Sequence, residues 1–387
     1  MTSLGPIFAD DLARIKPGDR LRLTISAQTS DAAALAQAAL EARARGERVL
    51  VVCADPADVP RLAQEMPWFE PKLDVRPLPD WETLPYDVLS PQEELVSERL
   101  EALYRLTART GGADVLLTSA VTASQRLSPV SYIGANTFFF HQGEQISLTT
   151  LQKRLAAAGY ANVKQVLAAG EFAVRGSIVD VFPMGSERPF RLDFFDDEIE
   201  SIRWFDVDTQ RSMESAEEIR LLPGHEFPVD PEALLAFRQR WRREFAGDPK
   251  KSIVYCDIEK EILPPGIEYY LPLFFDETAA LTDYLPPNAR VFLLGNIEAA
   301  LQAFGRDMAS RYKVLAADPQ RPALAPERIW LKPEEFFKSL ANFARFTVEE
   351  KENAEDLKRL TGIEVDRKSQ NPVGKLLERT RESAMKG

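Results

Sequence analysis

The feature that most constrains the fold is an uninterrupted apolar run from Val49 to Ala54. A run of this kind, without polar alternation, is typical of a parallel strand that is covered on both faces. Residues 21–25 alternate as in a strand and residues 29–45 form an alanine-rich predicted helix, so the run completes a strand–helix–strand unit. A second apolar run, Val115 to Thr118, follows a predicted helix from about Glu93 to Arg109. The first part of the chain is therefore expected to be an α/β domain with a parallel sheet.

The pattern changes near Thr137, where shorter alternating segments begin. Phe172 to Phe182 and Phe190 to Trp204 show the strongest strand character, and Phe194 to Glu198 is typical of a hairpin turn. This part is expected to be a small α+β domain.

After residue 222 an α/β pattern returns, with buried-strand candidates at Ile253 to Cys256 and Val291 to Leu294. The last 42 residues, from Phe346 to Gly387, contain nine acidic and nine basic residues and few large apolar ones, so they cannot build a core of their own. The predicted fold class is thus α/β, a parallel-sheet domain interrupted by the α+β domain. The expected organisation is an α/β domain made of residues 1–136 and 223–345, an inserted α+β domain of residues 137–222, and a charged linker with the start of a following domain over residues 346–387.

The composition limits the available chemistry. The 387 residues carry 48 basic and 60 acidic side chains, a net charge of −12, but only two histidines and two cysteines. A Ser-His-Asp triad or a histidine-rich metal site is therefore improbable, and Cys53 and Cys256 belong to no paired motif. No apolar run approaches the ~18 residues of a membrane helix, and the first residues lack the order of a signal peptide. A cytoplasmic protein with patch-like partner contacts and no membrane association is expected.

The first strand–helix turn is where a phosphate-binding loop would lie. The loop from Ile25 to Asp31 has no glycine for close approach and no lysine, and Asp31 would repel a phosphate. The run from Val254 to Glu259 has the outline of a magnesium-binding motif, but Asp257 is better explained as a helix cap ahead of Glu259 and Glu261. We therefore predict no nucleotide, metal or other cofactor site.

The densest group of informative residues lies between Gly170 and Ile202. Strand alternation places Phe190, Leu192 and Phe194 on one face, and Arg191, Asp193 and Phe195 on the other. Arg175 lies on the neighbouring candidate strand and could join the second face. One interpretation is a binding hot spot, since arginine and phenylalanine supply fixed donors and contact area. The other is that Phe195 lies under a loop while Arg191 pairs with Asp193 or Asp197, and the pattern does not decide between them.

The run GEFAVRGSIVDVFPMGSERPFRLDFFDDEIESIRWFDVDTQRS, from Gly170 to Ser212, resembles the UvrA-binding domain shared by the excision-repair protein UvrB and the bacterial transcription-repair coupling factor family. Several other segments resemble the coupling factor family in particular, and together the matches extend across most of residues 10–345. These segments are Asp80 to Asp87, Ser90-Pro91, Ser97 to Leu100, Phe182 to Ser186 and Leu222 to Pro228.

The resemblance implies a role as a non-enzymatic adaptor. In the family, the N-terminal region resembles the first ATPase lobe of UvrB, a RecA-like domain, without its nucleotide site, in agreement with the loop at residues 26–31. Family members use the inserted domain to recruit UvrA to RNA polymerase stalled at a DNA lesion. The residues that match the UvrA contacts are Arg175, Arg191 and Phe195.

The resemblance also implies what this chain is not expected to contain. The family's polymerase-binding domain, its ATP- and magnesium-dependent motor lobes that act on duplex DNA, and a C-terminal domain that masks the UvrA-binding face would lie beyond Gly387. The hairpin with which UvrB clamps damaged DNA has no counterpart after residues 116–119. This chain is therefore expected to have no enzymatic activity and to expose the UvrA-binding face.

A DNA-binding module is the alternative. Arg238, Arg240, Arg242 and Arg243 surround Trp241 on a predicted helix and could contact phosphates. A solvated helix face explains the same pattern more simply.

Overall fold

The computed structural model describes residues 14–25, 28–108 and 112–350. The strands are β1 Arg20–Ile25, β2 Val49–Cys53, β3 Val75–Pro77, β4 Val115–Ser119, β5 Phe138–His141, β6 Ala161–Asn162, β7 Glu171–Arg175, β8 Ile178–Val181, β9 Phe190–Phe195, β10 Glu198–Phe205, β11 Ser212–Ala216, β12 Glu218–Leu221, β13 Arg290–Leu294 and β14 Ala344–Glu350. The helices are α1 Gln28–Ala44, α2 Asp58–Phe69, α3 Glu93–Thr107, α4 Ala120–Ser124, α5 Val130–Ala135, α6 Leu148–Ala157, α7 Pro231–Glu244, α8 Ile253–Glu259, α9 Ile297–Leu315, α10 Pro326–Ile329 and α11 Pro333–Ser339. Short 3₁₀ turns occupy Pro249–Lys251, Ile267–Leu273 and Leu281–Tyr284.

The first sheet is parallel throughout, in the order β1-β14-β13-β2-β4-β3. Every residue of β2, β4 and β13 is buried, as expected for strands covered on both faces. Leu50 and Leu116 pack in a core on one side of the sheet, and Val51 and Leu117 pack in a second core on the other. The predicted α/β class with a parallel sheet is confirmed.

The chain leaves the parallel sheet after β4 and returns to it much later. Strands β13 and β14 pair between β1 and β2, although β5 to β12 separate them from β4 in the sequence. The boundary predicted after residue 345 is wrong, because it falls inside β14. Phe346 is fully buried there and stacks on Phe292 with ring centroids 4.6 Å apart. The rest of the predicted linker, from residue 351 onwards, lies outside the described residues.

The second sheet has the order β11-β10-β9-β8-β7-β6 and is antiparallel except where β6 meets β7. One face packs on α6, whose Leu151 and Leu155 are buried in the same core as Leu192 and Ile199. Strands β5 and β12 form a separate antiparallel pair. This small sheet carries the candidate site.

The segment from Ile253 to Cys256 is a helix, so the strand predicted there is wrong. The Ser252 hydroxyl caps α8 by accepting a hydrogen bond from the Tyr255 backbone N–H at 3.3 Å. Val254, Tyr255 and Ile258 are the buried residues, a helical spacing that a short apolar run does not reveal. Asp257 lies near the end of α8 and is not its cap, so that prediction is also wrong.

A buried ion pair joins α3 to the segment that follows β12. Arg99 donates to Glu226 from Nε at 2.6 Å and from Nη2 at 3.2 Å, and both side chains are almost completely buried. The Trp81 indole N–H donates to the same carboxylate at 3.1 Å, and Arg99 Nη1 donates to the Pro79 carbonyl at 2.7 Å. Since these bonds satisfy the buried charges, they fix α3 and the loop before it against the segment that follows β12.

None of the helices in the described ranges is both long and apolar enough to pass through a lipid bilayer.

Candidate protein-binding face

Two tight hairpins position the candidate residues. Strands β7 and β8 are joined through Gly176 and Ser177, and Gly176 has the positive φ of 63° that a tight turn favours. Strands β9 and β10 are joined through Asp196 and Asp197, with φ of 52° at Asp196. The hairpin turn predicted at residues 194–198 is confirmed.

Burial along β9 alternates as the sequence predicts. Phe190, Leu192 and Phe194 are buried, whereas the residues between them, Arg191 and Asp193, are only partly buried. Asp180 of β8 pairs directly with Arg191 and shares its face of the sheet.

Asp180 lies between the two arginines. Its carboxylate accepts from Arg191 Nε at 2.6 Å and Nη2 at 3.0 Å, and also from Arg175 Nη2. The Asp180 side chain has no exposed surface, so two guanidinium groups compensate one buried carboxylate. The group carries one net positive charge when all three residues are ionised.

Arg191 is held on several sides. Its Nη1 donates to the Gln210 carbonyl at 3.1 Å and to the Ser212 hydroxyl at 3.2 Å, and its guanidinium carbon lies 5.0 Å from the centre of the Phe205 ring. Only 15% of the side chain is exposed. The hydrogen bonds to Asp180 raise the pKa of Arg191, so it is cationic at every physiological pH. Arg191 therefore fixes the start of β11 and the preceding loop to the sheet, and presents only one edge to solvent.

Phe195 and Arg175 are the accessible members. Phe195 is 69% exposed at the end of β9, and 48% of the Arg175 side chain is exposed. An exposed aromatic ring on a rigid strand, on the same face as a guanidinium held by a buried carboxylate, has the composition of a binding hot spot. We call Arg175, Arg191 and Phe195 the Arg-Phe surface.

The structure contradicts the contacts named in the second of the two interpretations left open by the sequence. Phe195 is not covered by a loop, and Arg191 pairs with neither Asp193 nor Asp197, since its partner is Asp180. Asp193 instead accepts from the Ser201 hydroxyl at 2.8 Å.

The prediction that Arg175 lies on the strand next to β9 is wrong by one strand. Arg175 lies on β7, which is not the neighbour of β9, because β8 runs between them. It joins the face through Asp180, a residue that the sequence analysis missed. A single aspartate within the otherwise apolar strand Ile178–Val181 is the signal that could have identified it.

The turn where a phosphate-binding loop would lie contains an ion pair. Asp31, in the first turn of α1, is buried and accepts from Arg61 of α2 at 2.6 and 3.0 Å. It also accepts from the Ala32 backbone N–H at 2.6 Å. A carboxylate thus occupies the helix end that favours anions. Ser26 and Ala27 of the predicted loop lie outside the described residues.

The arginines of α7 are mostly engaged within the chain. Arg238 lies 3.8 Å from Glu259, Arg240 lies 2.6 Å from Asp276, and Arg242 lies over the ring of Tyr255. Trp241 between them is buried and is not available for stacking on a base. Within the described ranges, no group of three or more histidine, cysteine or acidic residues is arranged to hold a metal ion.

Comparison with known proteins connects this sheet to DNA repair. The profile of the UvrB interaction domain matches residues 138–227. The transcription-repair-coupling factor of Escherichia coli strain K12 is 42% identical over 298 residues, which is 77% of this chain and 26% of that protein. The same protein of Haemophilus influenzae is 45% identical over 277 residues, 71% of this chain and 24% of that protein. The one of Bacillus subtilis is 32% identical over 216 residues, 52% of this chain and 18% of that protein.

Strands β5 to β12 all fall within the matched range, so the second sheet and the β5–β12 pair constitute a UvrB interaction domain, the class of module that defines this part of the chain. The particular proteins that the chain matches, over about three quarters of its length, are the transcription-repair-coupling factors, in their N-terminal region. The chain spans about a quarter of the length of the first two relatives named above.

Proposed function

We propose that the chain is a non-catalytic adaptor that binds UvrA through the Arg-Phe surface. The observation that carries this proposal is the exposure of Phe195, 69%, within a UvrB interaction domain. Burying such a ring against a partner removes apolar area from water, which is the main source of energy at a hot spot. No contact within the described chain uses this area.

The two arginines determine the charge of the proposed contact and the direction of its hydrogen bonds. Asp180 neutralises only one of the two positive charges and holds both guanidinium groups on one face. A partner carboxylate can accept from the remaining N–H groups of Arg175 in a fixed geometry. The complementary surface on UvrA is therefore expected to combine an acidic group with an apolar pocket for Phe195.

The α/β part supports the adaptor role because an ion pair occupies the N-terminal end of its first helix. We interpret it as a degenerate RecA-like lobe, in which the Asp31–Arg61 ion pair stands where a nucleotide phosphate would bind. In this proposal the ATP- and magnesium-dependent motor acting on duplex DNA, the polymerase-binding domain and the masking C-terminal domain belong to the remaining length of the relatives. UvrA and transcribing RNA polymerase as partners would place the protein in the bacterial cytoplasm.

The test is a titration of the chain against purified UvrA without nucleotide, at two salt concentrations, with the wild type, Arg175→Ala and Phe195→Ala. We expect saturable binding by the wild type and a loss of about 2 kcal/mol, or thirtyfold, for a hot-spot truncation. Unchanged affinity for both variants would contradict the proposal. Binding to duplex DNA that weakens steeply with salt and is unaffected by Phe195→Ala would favour the alternative DNA-binding module.

A further inference from the structure

A groove separates α3 from the second sheet. It has a volume of about 540 Å³ and is lined by α3, by β3, and by two loops, one before β7 and one after β8. This volume lies within the range of binding sites for small ligands and peptide side chains. We call it the α3 groove. Because none of the three residues of the Arg-Phe surface lines it, an inference about the groove does not depend on the function proposed above.

Hydrogen bonds hold both walls of the groove. The Gly185 backbone N–H donates to the Ser97 hydroxyl of α3 at 2.7 Å. On the opposite side, the backbone N–H groups of Leu167 and Ala168 donate to one carboxylate oxygen of Glu171 at 2.7 and 3.0 Å. The groove is therefore formed before any partner arrives, which reduces the ordering cost of binding.

The groove carries uncompensated negative charge. Among the described residues, Glu94 and Glu98 of α3 and Glu187 of the opposite loop have no basic side chain within 4.0 Å and no side-chain hydrogen bond. The fourth lining carboxylate, Glu101, is already bound by Arg105 and Arg220. Arg76 is the one basic residue in the described lining, and it pairs with Asp74 at 2.6 Å.

Two of these carboxylates lie on the same part of α3. Glu94 and Glu98 are four residues apart on one helix face, where like charges repel. Burial, and the charge of Glu82, raise the pKa of Glu98, as expected for a carboxylate without a cationic partner. A cation placed between the two carboxylates would supply the missing counter-charge.

Apolar surface accompanies the charge. Leu167 at the rim is 58% exposed, and the half-buried Phe182 also lines the groove. An acidic wall facing an apolar one is complementary to a segment that carries basic and apolar side chains side by side.

We propose that the α3 groove binds an extended basic segment of a partner protein, with an arginine or lysine between Glu94 and Glu98 and an apolar side chain against Leu167. The groove would then be a second protein-binding site of this chain, separate from the Arg-Phe surface.

The test uses two labelled eight-residue peptides and the full chain. One peptide contains two arginines and two leucines, and its twin has glutamates in place of the arginines. Fluorescence anisotropy is measured at low and high salt with the wild type, the double variant Glu94→Gln/Glu98→Gln, and Leu167→Ser. The matched control is Glu277→Gln/Glu334→Gln, which removes two charges from exposed glutamates that make no salt bridge among the described residues.

We expect the wild type to bind the basic peptide saturably and the acidic twin not at all. Affinity should fall about fivefold to tenfold for Glu94→Gln/Glu98→Gln, fall about threefold for Leu167→Ser, and stay within about twofold for the control. Because both glutamates of the groove variant are exposed, its unfolding free energy should stay within about 0.5 kcal/mol of that of the wild type.

Three outcomes would overturn the proposal. The first is no saturable binding of the basic peptide up to about 1 mM. The second is equal affinity for both peptides, or for the groove variant and its control. The third is self-association of the chain that the groove variant abolishes, because a second copy would then be the occupant.

Discussion

Asp180 accepts two hydrogen bonds from Arg191, 2.6 Å from Nε and 3.0 Å from Nη2, and its own side chain is completely buried. Arg175 reaches the same carboxylate from β7. The two arginines that the family resemblance assigns to partner binding are therefore also the counter-charges of a buried acid. Substituting Arg191 would remove both a proposed contact and a support. The Phe195 side chain has no hydrogen-bonding group, so its truncation tests the proposed contact alone.

The first prediction concerns this buried carboxylate. Asp180→Asn keeps the shape but removes the charge that compensates Arg191, which is mostly buried. Breaking a buried ion pair leaves an uncompensated charge, so we expect the unfolding free energy to fall by about 2–4 kcal/mol. Urea unfolding followed by circular dichroism measures this change. Asp193→Asn on the neighbouring strand β9 is the control and should cost less than about 1 kcal/mol. Equal effects of the two variants would show that Asp180 has no special role.

A second prediction concerns the bond between α3 and the segment after β12. Glu226→Ala removes the shared partner of Arg99 and Trp81, both of which are buried. We expect a loss of about 3–5 kcal/mol in unfolding free energy, since the Arg99 charge is left without its carboxylate. The exposed residue Glu232 supplies the control, Glu232→Ala, which should change stability by about 0.5 kcal/mol or less. A small effect of Glu226→Ala in thermal and urea unfolding would contradict this account.

A third prediction follows from the Asp31–Arg61 ion pair. A ligand present at a hundredfold excess over its Kd stabilises a protein by about 2.7 kcal/mol, which would raise the melting temperature by several degrees. Because the Asp31 carboxylate lies in the first turn of α1, we expect about 1 mM MgATP to leave the melting temperature unchanged. A reproducible increase with MgATP, absent with magnesium alone, would contradict the assignment of a degenerate nucleotide site.

A fourth prediction concerns pH. Burial raises the pKa of Glu268 to about 7, while its carboxylate accepts from the Ser90 hydroxyl at 2.9 Å. The unfolded carboxyl titrates near 4.3, so between pH ~4.3 and ~7 the folded state holds more protons and stability falls as pH rises. His225 and Glu268 line one cavity. Burial lowers the pKa of His225 to about 4. Its contribution has the opposite sign, because stability is lost as pH falls from about 6.5 towards 4.

The contributions of Glu268 and His225 to the pH dependence of stability oppose each other below pH ~6.5. Above pH ~6.5 only the contribution of Glu268 changes with pH, so it can be measured separately there. We expect Glu268→Gln to raise the unfolding free energy by about 3 kcal/mol at pH 8 and by only about 1 kcal/mol at pH 5. Urea unfolding at half-unit pH steps measures this difference. Stability curves that run parallel for the wild type, Glu268→Gln and the exposed control Glu277→Gln would refute the prediction.

Structural features that depend on residues close together in the sequence could be predicted from the local pattern. Alternation placed Arg191 and Phe195 on one face of β9, and the continuous apolar runs identified β2 and β4 as covered strands. The strand predicted at Ile253 to Cys256 is wrong because an apolar run of four residues fits a strand or a helix. The hydrogen bond to the Ser252 hydroxyl stabilises the start of a helix here.

Long-range partners could not be predicted from pattern. Arg61 is 30 residues from Asp31 and Glu226 is 127 residues from Arg99, and nothing local specifies either pair. The α3 groove is of the same kind, because α3 and the loops before β7 and after β8 become neighbours only through the pairing of the sheets. The linker boundary was misplaced for a related reason, since β14 gains its place by pairing with β1 and β13.

The measurement that tests the central claim most directly is the affinity of UvrA for the wild type, Phe195→Ala and Trp68→Ala, by isothermal titration at one salt concentration. Phe195 and Trp68 are exposed by 69% and 79%, so neither truncation should change the melting temperature, and Trp68 lies outside the UvrB interaction domain. We expect Phe195→Ala to weaken binding by about thirtyfold and Trp68→Ala to change it by less than about twofold. Equal affinities of all three proteins for UvrA would contradict the assignment of the Arg-Phe surface as the recruitment site.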